Sequence, residues 1–251
     1  MLNYKRGYDM LCLLDVKKYY KNNKAVDGIS FEIQKGEIFG LVGANGAGKS
    51  TTISMLTTMI KPDDGDILYH GKSIVKNPKI IRSRLGYVPQ DISLYLSLSG
   101  RDNLVFWGNA YHVPKNILDE RIREVSDIIG FTKDMLKQKT AAYSGGMKRR
   151  LNIGAALLHR PDFLVLDEPT VGIDLIARNQ ILDFVKRINT KGTTILYCGH
   201  YMEEVEQICD SVCILDKGKK LVCGSKKNLL SEPDKTLEKL YYELVGVKQT
   251  I

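Results

Sequence analysis

Eight residues, Gly43–Ala44–Asn45–Gly46–Ala47–Gly48–Lys49–Ser50, constrain this chain more than any other stretch of it. They follow the apolar run Ile38–Phe39–Gly40–Leu41–Val42 and lead into a segment of helical composition from Lys49 to Met59, so the local order is strand, loop, helix. The glycines let the backbone take φ > 0 and approach a ligand closely. Successive N–H groups and the positive end of the following helix then converge on one point, which attracts an anion. The spacing GxxxxGK[ST] is that of a loop cradling phosphates. Lys49 is placed to reach the β and γ phosphates and Ser50 to ligate Mg²⁺, while Gly43, Asn45, Gly46, Ala47, Gly48 and Thr51 line the cradle. Taken alone, the loop leaves kinase, GTPase and transport-ATPase readings open.

The remaining pattern is that of an α/β protein. Residues 11–36 alternate apolar and polar positions around turn signals such as Lys21–Asn22–Asn23, which predicts an N-terminal antiparallel β subdomain. Phe163–Leu166, Thr193–Tyr197 and Val212–Leu215 are short apolar runs separated by helical segments near Leu175–Ile188 and Met202–Cys209. Strands alternating with helices predict a parallel sheet covered by helices. Between about residues 91 and 160, helical spacing recurs at Leu104, Trp107 and Tyr111, then at Ile122, Val125 and Ile129, as expected of an appended α-helical subdomain. These readings assign residues 1–225 to one nucleotide-binding domain and 226–251 to a charged amphipathic tail.

With 251 residues, 43% hydrophobic and 26% charged, the chain has the makeup of an ordinary globular protein with a sizeable core. No stretch has the ~18 consecutive apolar residues of a spanning helix, and the start, Met1 to Cys12, lacks the apolar core of a secretory signal, so a cytoplasmic location is expected. The five cysteines, 12, 198, 209, 213 and 223, have no paired zinc-site spacing and read as reduced thiols. A net charge of +8 invites a nucleic-acid partner, but the basic groups are small, scattered and interleaved with acids, so no nucleic acid is expected. Attraction to an anionic membrane face is a second use of that charge.

Two further segments narrow the choice. Phe163–Leu164–Val165–Leu166–Asp167–Glu168 is an apolar strand delivering two carboxylates at its end, followed by an abrupt turn at Pro169–Thr170. Beside a phosphate site, Asp167 suits the Mg²⁺ shell and Glu168 suits polarising an attacking water. Upstream, Ser144–Gly145–Gly146 opens a basic helical run, where a hydroxyl and glycine N–H groups make a second anion site. With these segments in this order, the chain resembles the ATP-binding cassette (ABC) ATPases from about Leu13 to Gly224.

The resemblance implies a P-loop NTPase (RecA-like) core, ATP and Mg²⁺ as ligands, and Ser144–Gly146 as the segment that contacts the γ phosphate of ATP held by a partner cassette. It also implies roles for weaker matches. Gln90, after Gly86–Tyr87–Val88–Pro89, corresponds to the glutamine linking the Mg²⁺ site to the membrane partner, and Asp174 to the loop crossing between subunits, though it could equally cap a helix. His200 matches the switch histidine at the γ phosphate, and Tyr20 the aromatic that stacks on adenine, with Tyr19 as competitor. Tyr143 and Met147 replace the leucine and glutamine common around the signature, and Cys198–Gly199 precede the histidine where serines are frequent. The Tyr143 and Met147 variants, and the segment Leu237 to Leu244, are similar to the branch of drug, antibiotic and polysaccharide exporters with separate membrane subunits. The expected partners are therefore integral-membrane permease subunits and a second cassette, identical or related, with this chain peripheral on the inner face of the membrane. Ile92, Leu94, Leu96 and Leu98, apolar at alternate positions after Gln90, are expected to help form the groove for a permease helix. The alternative is a soluble cassette protein acting on ribosomes or DNA.

Overall fold

A computed structural model describes residues 9–246. The first eight residues, part of the stretch judged not to be a secretory signal, and the last five of the tail lie outside the described residues. The chain forms two compact units, one made of residues up to Arg82 and from Thr194 onward, the other running from Ser83 to Thr193.

In the first unit, strands β1 (Asp9–Tyr20) and β2 (Asn23–Gln34) form a long antiparallel hairpin closed at Lys21–Asn22, with Lys21 at φ 52°. After them come β3 (Ile38–Val42), helix α1 (Lys49–Leu56), β4 (Asp64–Tyr69), β5 (Lys72–Ser73) and α2 (Lys79–Arg82). The order β2-β1-β4-β5 makes the expected antiparallel sheet. Its inner face buries Leu11, Leu13, Val16, Ile29, Phe31, Ile33 and Ile67, and the Phe31 ring stacks on Phe39 of β3 at 5.1 Å.

The second unit opens with β6 (Leu85–Val88), continues through α3 (Gly100–Ala110), α4 (Lys115–Ile129), α5 (Lys133–Lys137) and α6 (Gly145–Leu157), and ends with β7 (Phe163–Asp167) and α7 (Leu175–Thr190). Strands β6 and β7 pair in parallel, Val88 beside Leu166. The apolar stripe of α4, Leu118, Ile122, Val125 and Ile129, is buried, as its 3.6-residue period requires.

On its return to the first unit the chain adds β8 (Thr194–Cys198), α8 (Met202–Ile208), β9 (Ser211–Asp216), β10 (Lys219–Ser225), α9 (Lys226–Leu229) and α10 (Leu237–Val245). Strand β3 lies between β8 and β9, parallel to both, and all five of its residues are buried. Such a strand is shielded on both faces, which is why it reads as an unbroken apolar run. Strand β10 is an antiparallel edge that the apolar pattern does not announce; it folds back through Lys217 (φ 47°) and Gly218 (φ 77°). None of the five cysteines is in a disulfide, and four of them are buried. Among the described residues no helix is long and apolar enough to cross a membrane.

Candidate active site

The phosphate loop occupies the carboxyl end of β3, where a parallel strand points its chain terminus at a ligand crevice. Gly48 starts α1 at φ 101°, and a Cβ there would sit 2.5 Å from the Ala25 carbonyl oxygen, so the position admits only glycine. No side chain caps this helix start and no acid lies in its first turn, which leaves its N–H groups directed at the loop interior. Gly46, at φ 79°, faces open space. Lys49 is 5% exposed and its Nζ donates to the carbonyls of Gly43 (2.8 Å) and Ala44 (3.2 Å), so the ammonium is held over the loop rather than extended into water. Ser50 is exposed, Thr51 half-buried and Ala47 buried.

Strand β8 pairs with β3 in parallel, Cys198 beside Leu41, so His200, two residues past β8, leaves from the same edge as the phosphate loop. It is exposed, with its ring against Tyr201 at 5.5 Å. At the hairpin tip the two tyrosines differ. The Tyr19 hydroxyl donates to Asp27 at 3.0 Å and its ring is half-buried, whereas Tyr20 is 48% exposed, with Lys18 Nζ 5.8 Å from its ring centroid. Of the pair, Tyr20 has the ring available for stacking on a base.

Within the second unit, the parallel pairing of β6 and β7 brings two loops to one edge. Gln90 Nε2 donates to Glu168 Oε2 at 2.9 Å. Asp167, the last residue of β7, is 8% exposed. Glu168 holds φ 48°, a conformation that costs an L-residue about 1–2 kcal/mol and that the abrupt turn into Pro169 imposes. The Ser144 hydroxyl oxygen accepts from Met147 N at 3.2 Å and caps α6, while Asp174 accepts from Ala177 N at 2.9 Å and caps α7. A Cβ on Gly146 would lie 2.6 Å from Ala177 Cβ, so the two helix starts meet at van der Waals contact; Gly145 is exposed and open.

The sequence profile of the ABC transporter family matches residues 26–171. The linearmycin resistance ATP-binding protein LnrL of Bacillus subtilis is 47% identical over 222 residues, covering 88% of this chain and 71% of that protein. The chain belongs to the ABC transporter family. It is an ATPase subunit of that family, since ABC ATP-binding cassettes couple ATP hydrolysis to transport. The daunorubicin/doxorubicin resistance ATP-binding protein DrrA of Streptomyces peucetius is 37% identical over 85% of this chain and 64% of its own length. Among solved structures, an ATP-binding subunit of an ABC transporter is 28% identical with a TM-score of 0.83, covering 94% of this chain and 99% of that one.

In this ABC cassette a further residue, Arg149, belongs to the site's framework. It is 4% exposed and donates from Nη1 to the Pro89 carbonyl (2.8 Å) and from Nη2 to the Gln90 carbonyl (2.5 Å), so helix α6 clamps the loop that carries Gln90. Burial pulls its pKa below the usual guanidinium range, partly countered by Asp91 and Asp167. Only its place in a basic run, Lys148–Arg150, is visible in the sequence, and composition does not tell a clamp from a solvated charge. Tyr143, the departure ahead of the signature, is 3% exposed; it donates its hydroxyl to the Met135 carbonyl and packs edge-on to Phe131. It anchors α5 beneath the start of α6. Among the described residues no cluster of three or more His, Cys, Asp or Glu forms a metal cage. The Ser50 hydroxyl in the first unit and the Asp167 carboxylate in the second are each a hard oxygen donor of the kind that suits Mg²⁺.

Proposed function

We propose that this cassette is the ATP-hydrolysing motor of an exporter with separate permease subunits, and that it works as one of a pair. In that pair the phosphate loop of one copy and the Ser144–Gly146 segment of the other grip each ATP. The observation that carries the reading is the Gln90–Glu168 pair at 2.9 Å, which holds a carboxylate at the end of β7 in a strained turn, oriented by an amide. That arrangement suits a group that must align a water molecule. Lys49 and the uncapped start of α1 bind phosphate charge, Ser50 and Asp167 would hold Mg²⁺, His200 contacts the γ phosphate and Tyr20 stacks on adenine. When bound, Mg²⁺ neutralises charge on the phosphates. Hydrolysis removes the charge that both subunits grip, and the pair opens.

Export is favoured by LnrL and DrrA, both named as resistance proteins. The chain, peripheral on the membrane's inner face, would meet its permease through the segment after Gln90. There Tyr95 and Leu96 are each 48% exposed and Phe106 is 39% exposed, with the Tyr95 and Phe106 rings 4.6 Å apart. Buried Asn103 fixes this patch by bonding both the N–H and the carbonyl of Tyr95. An anchored apolar patch suits a helix of a partner. Action on ribosomes or DNA gains nothing from these relatives.

The test is a pair of substitutions. Glu168→Gln should keep ATP binding and accumulate an ATP-bound dimer, seen by light scattering on a sizing column, while Lys49→Ala should lose tight nucleotide binding. Wild-type phosphate release by Glu168→Gln would remove Glu168 from the role of water-orienting group.

A further inference from the structure

His200 stands on a short turn, Gly199–His200–Tyr201, that joins β8 to α8. Beneath the turn a side-chain hydrogen bond spans it. The Tyr197 hydroxyl, on β8, donates to Oε2 of Glu204, in the first turn of α8, at 2.5 Å. Both residues are fully buried, whereas His200 is exposed. A phenol and a carboxylate taken out of water lose hydration, and a bond between them recovers part of that cost.

The surroundings of the bond leave the turn little freedom. A Cβ on Gly199 would lie 2.9 Å from Tyr197 Cε1 and 3.1 Å from Val205 Cγ2, so the backbone next to His200 rests on the Tyr197 ring. In the parallel register of β3 and β8, Tyr197 is beside Gly40, and a Cβ on Gly40 would stand 2.5 Å from Val205 Cγ1. Helix α8 therefore sits directly on the strand that leads into the phosphate loop. Farther along α8, the Glu206 carbonyl accepts from Lys226 Nζ and its carboxylate from the Leu237 N–H, which hold the helix in place. Apolar contact resists separation but has no preferred direction; the Tyr197–Glu204 bond has one, and it sets the angle between the end of β8 and the start of α8.

We infer that Tyr197, through its bond to Glu204, is a positioning residue for His200, fixing the β8–α8 turn so that the imidazole is presented to the γ phosphate. The inference rests on the reading of His200 as a γ-phosphate contact. Tyr197 and Glu204 are buried under the turn and act only through it. A small tilt of α8 would displace the imidazole, and misplacement of a reacting group by about 1 Å can cost up to about 100-fold in rate. The signature is therefore a loss of rate that disappears when the imidazole is absent.

The experiment is a double-mutant cycle on the full chain. Tyr197→Phe keeps the ring that supports Gly199 and removes the hydroxyl; Glu204→Gln keeps the shape and an acceptor oxygen but replaces the carboxylate by an amide. Each is made alone and together with His200→Ala, and folding at the assay temperature is checked by thermal unfolding. Phosphate release is followed against MgATP concentration, with radiolabelled ATP for the slow variants. Tyr197→Phe is expected to lower kcat about five- to thirtyfold and Glu204→Gln about two- to fivefold, with the KM for ATP within about twofold of wild type. In the His200→Ala background each should change the residual rate by less than about twofold. A wild-type kcat in Tyr197→Phe, an equal loss with and without His200, or a KM that rises as far as kcat falls would each overturn the inference. Should Tyr197→Phe not fold, the same comparisons with Glu204→Gln decide, and a wild-type kcat there overturns it. Wild-type turnover by His200→Ala itself would instead overturn the reading of His200 beneath it.

Discussion

Gly146 and Gly145 are neighbours in sequence with opposite surroundings, and substituting each by alanine separates packing from chemistry. A Cβ on Gly146 would stand 2.6 Å from Ala177 Cβ, where carbon atoms at optimal contact lie about 3.5–4.0 Å apart. About 1 Å must be found by moving the starts of α6 and α7 apart, and both starts are held by caps, Ser144 on Met147 N and Asp174 on Ala177 N. Overpacking of this kind costs about 1–3 kcal/mol. For a domain of this size each kcal/mol moves Tm by about 2–4 °C, so Gly146→Ala should melt ~2–12 °C below wild type. Around Gly145 nothing lies within 4 Å of the added methyl group, and alanine is the better helix former by up to about 1 kcal/mol. Gly145→Ala should therefore melt at or slightly above the wild-type temperature and yet lose ATPase activity, because the added methyl group would stand between the segment and the partner's nucleotide in the proposed pair. Calorimetry and a phosphate release assay on the two proteins decide the matter. A Gly146→Ala protein as stable as wild type would refute the packing argument, and a fully active Gly145→Ala protein would refute the trans role of the signature.

His200 is exposed and touches only the Tyr201 ring among the aromatic contacts, so His200→Ala should leave stability within about 0.5 kcal/mol of wild type but slow hydrolysis about 100-fold or more; unchanged turnover would return it to a structural role. His159 supplies the pH test. Its ring stacks on Tyr111 at 4.1 Å and its Nε2 lies 3.0 Å from the Leu85 carbonyl, with Nδ1 buried and unpartnered. Burial lowers its pKa below the ordinary value of 6.5, so the unfolded chain binds the proton more readily. Its contribution to stability is complete above about pH 6.5 and is lost as pH falls from there toward the folded-state value. Urea unfolding between about pH 5 and 8 should show that decline, and His159→Gln should flatten it; equal slopes in the two proteins would refute the assignment.

How much of this was legible depended on whether a residue's role is set by local spacing or by a distant partner. The phosphate loop is legible because glycines at 43, 46 and 48 are needed by their own backbone angles, and those needs travel with the sequence. Strands β3, β7 and β8 are legible because burial on both faces leaves an unbroken apolar run. Strand β10 is not, since it is half-exposed along an edge and its residues, Lys219 to Ser225, mix charge with apolar character; the Lys217–Gly218 turn is its only local mark. Choosing Tyr20 over Tyr19 requires knowing that Asp27, across the hairpin, engages the Tyr19 hydroxyl. Arg149 is invisible because its partners are distant in sequence. It bonds to the carbonyls of Pro89 and Gln90, about 60 residues away, and a carbonyl leaves no trace in the identity of the residue that carries it.

Long-range contacts link several parts of the second unit. Arg149 ties α6 to the loop bearing Gln90, and the contact of Gly146 with Ala177 ties the start of α6 to the turn holding Asp174. Gln90 in turn bonds Glu168. The Glu168 carboxylate, the Ser144–Gly146 segment and the Asp174 turn thus share a frame whose joints are charge-assisted bonds to backbone carbonyls and a glycine-tight contact, neither of which yields gradually. In the proposed cycle, a permease that shifts the Tyr95–Phe106 patch moves the anchored loop, and Arg149 passes that movement to Ser144 without any change inside the nucleotide loop itself. On that proposal coupling would need no separate transmitting element, because the loop proposed to meet the permease and the helix proposed to complete the partner's site are pinned together by a single buried guanidinium.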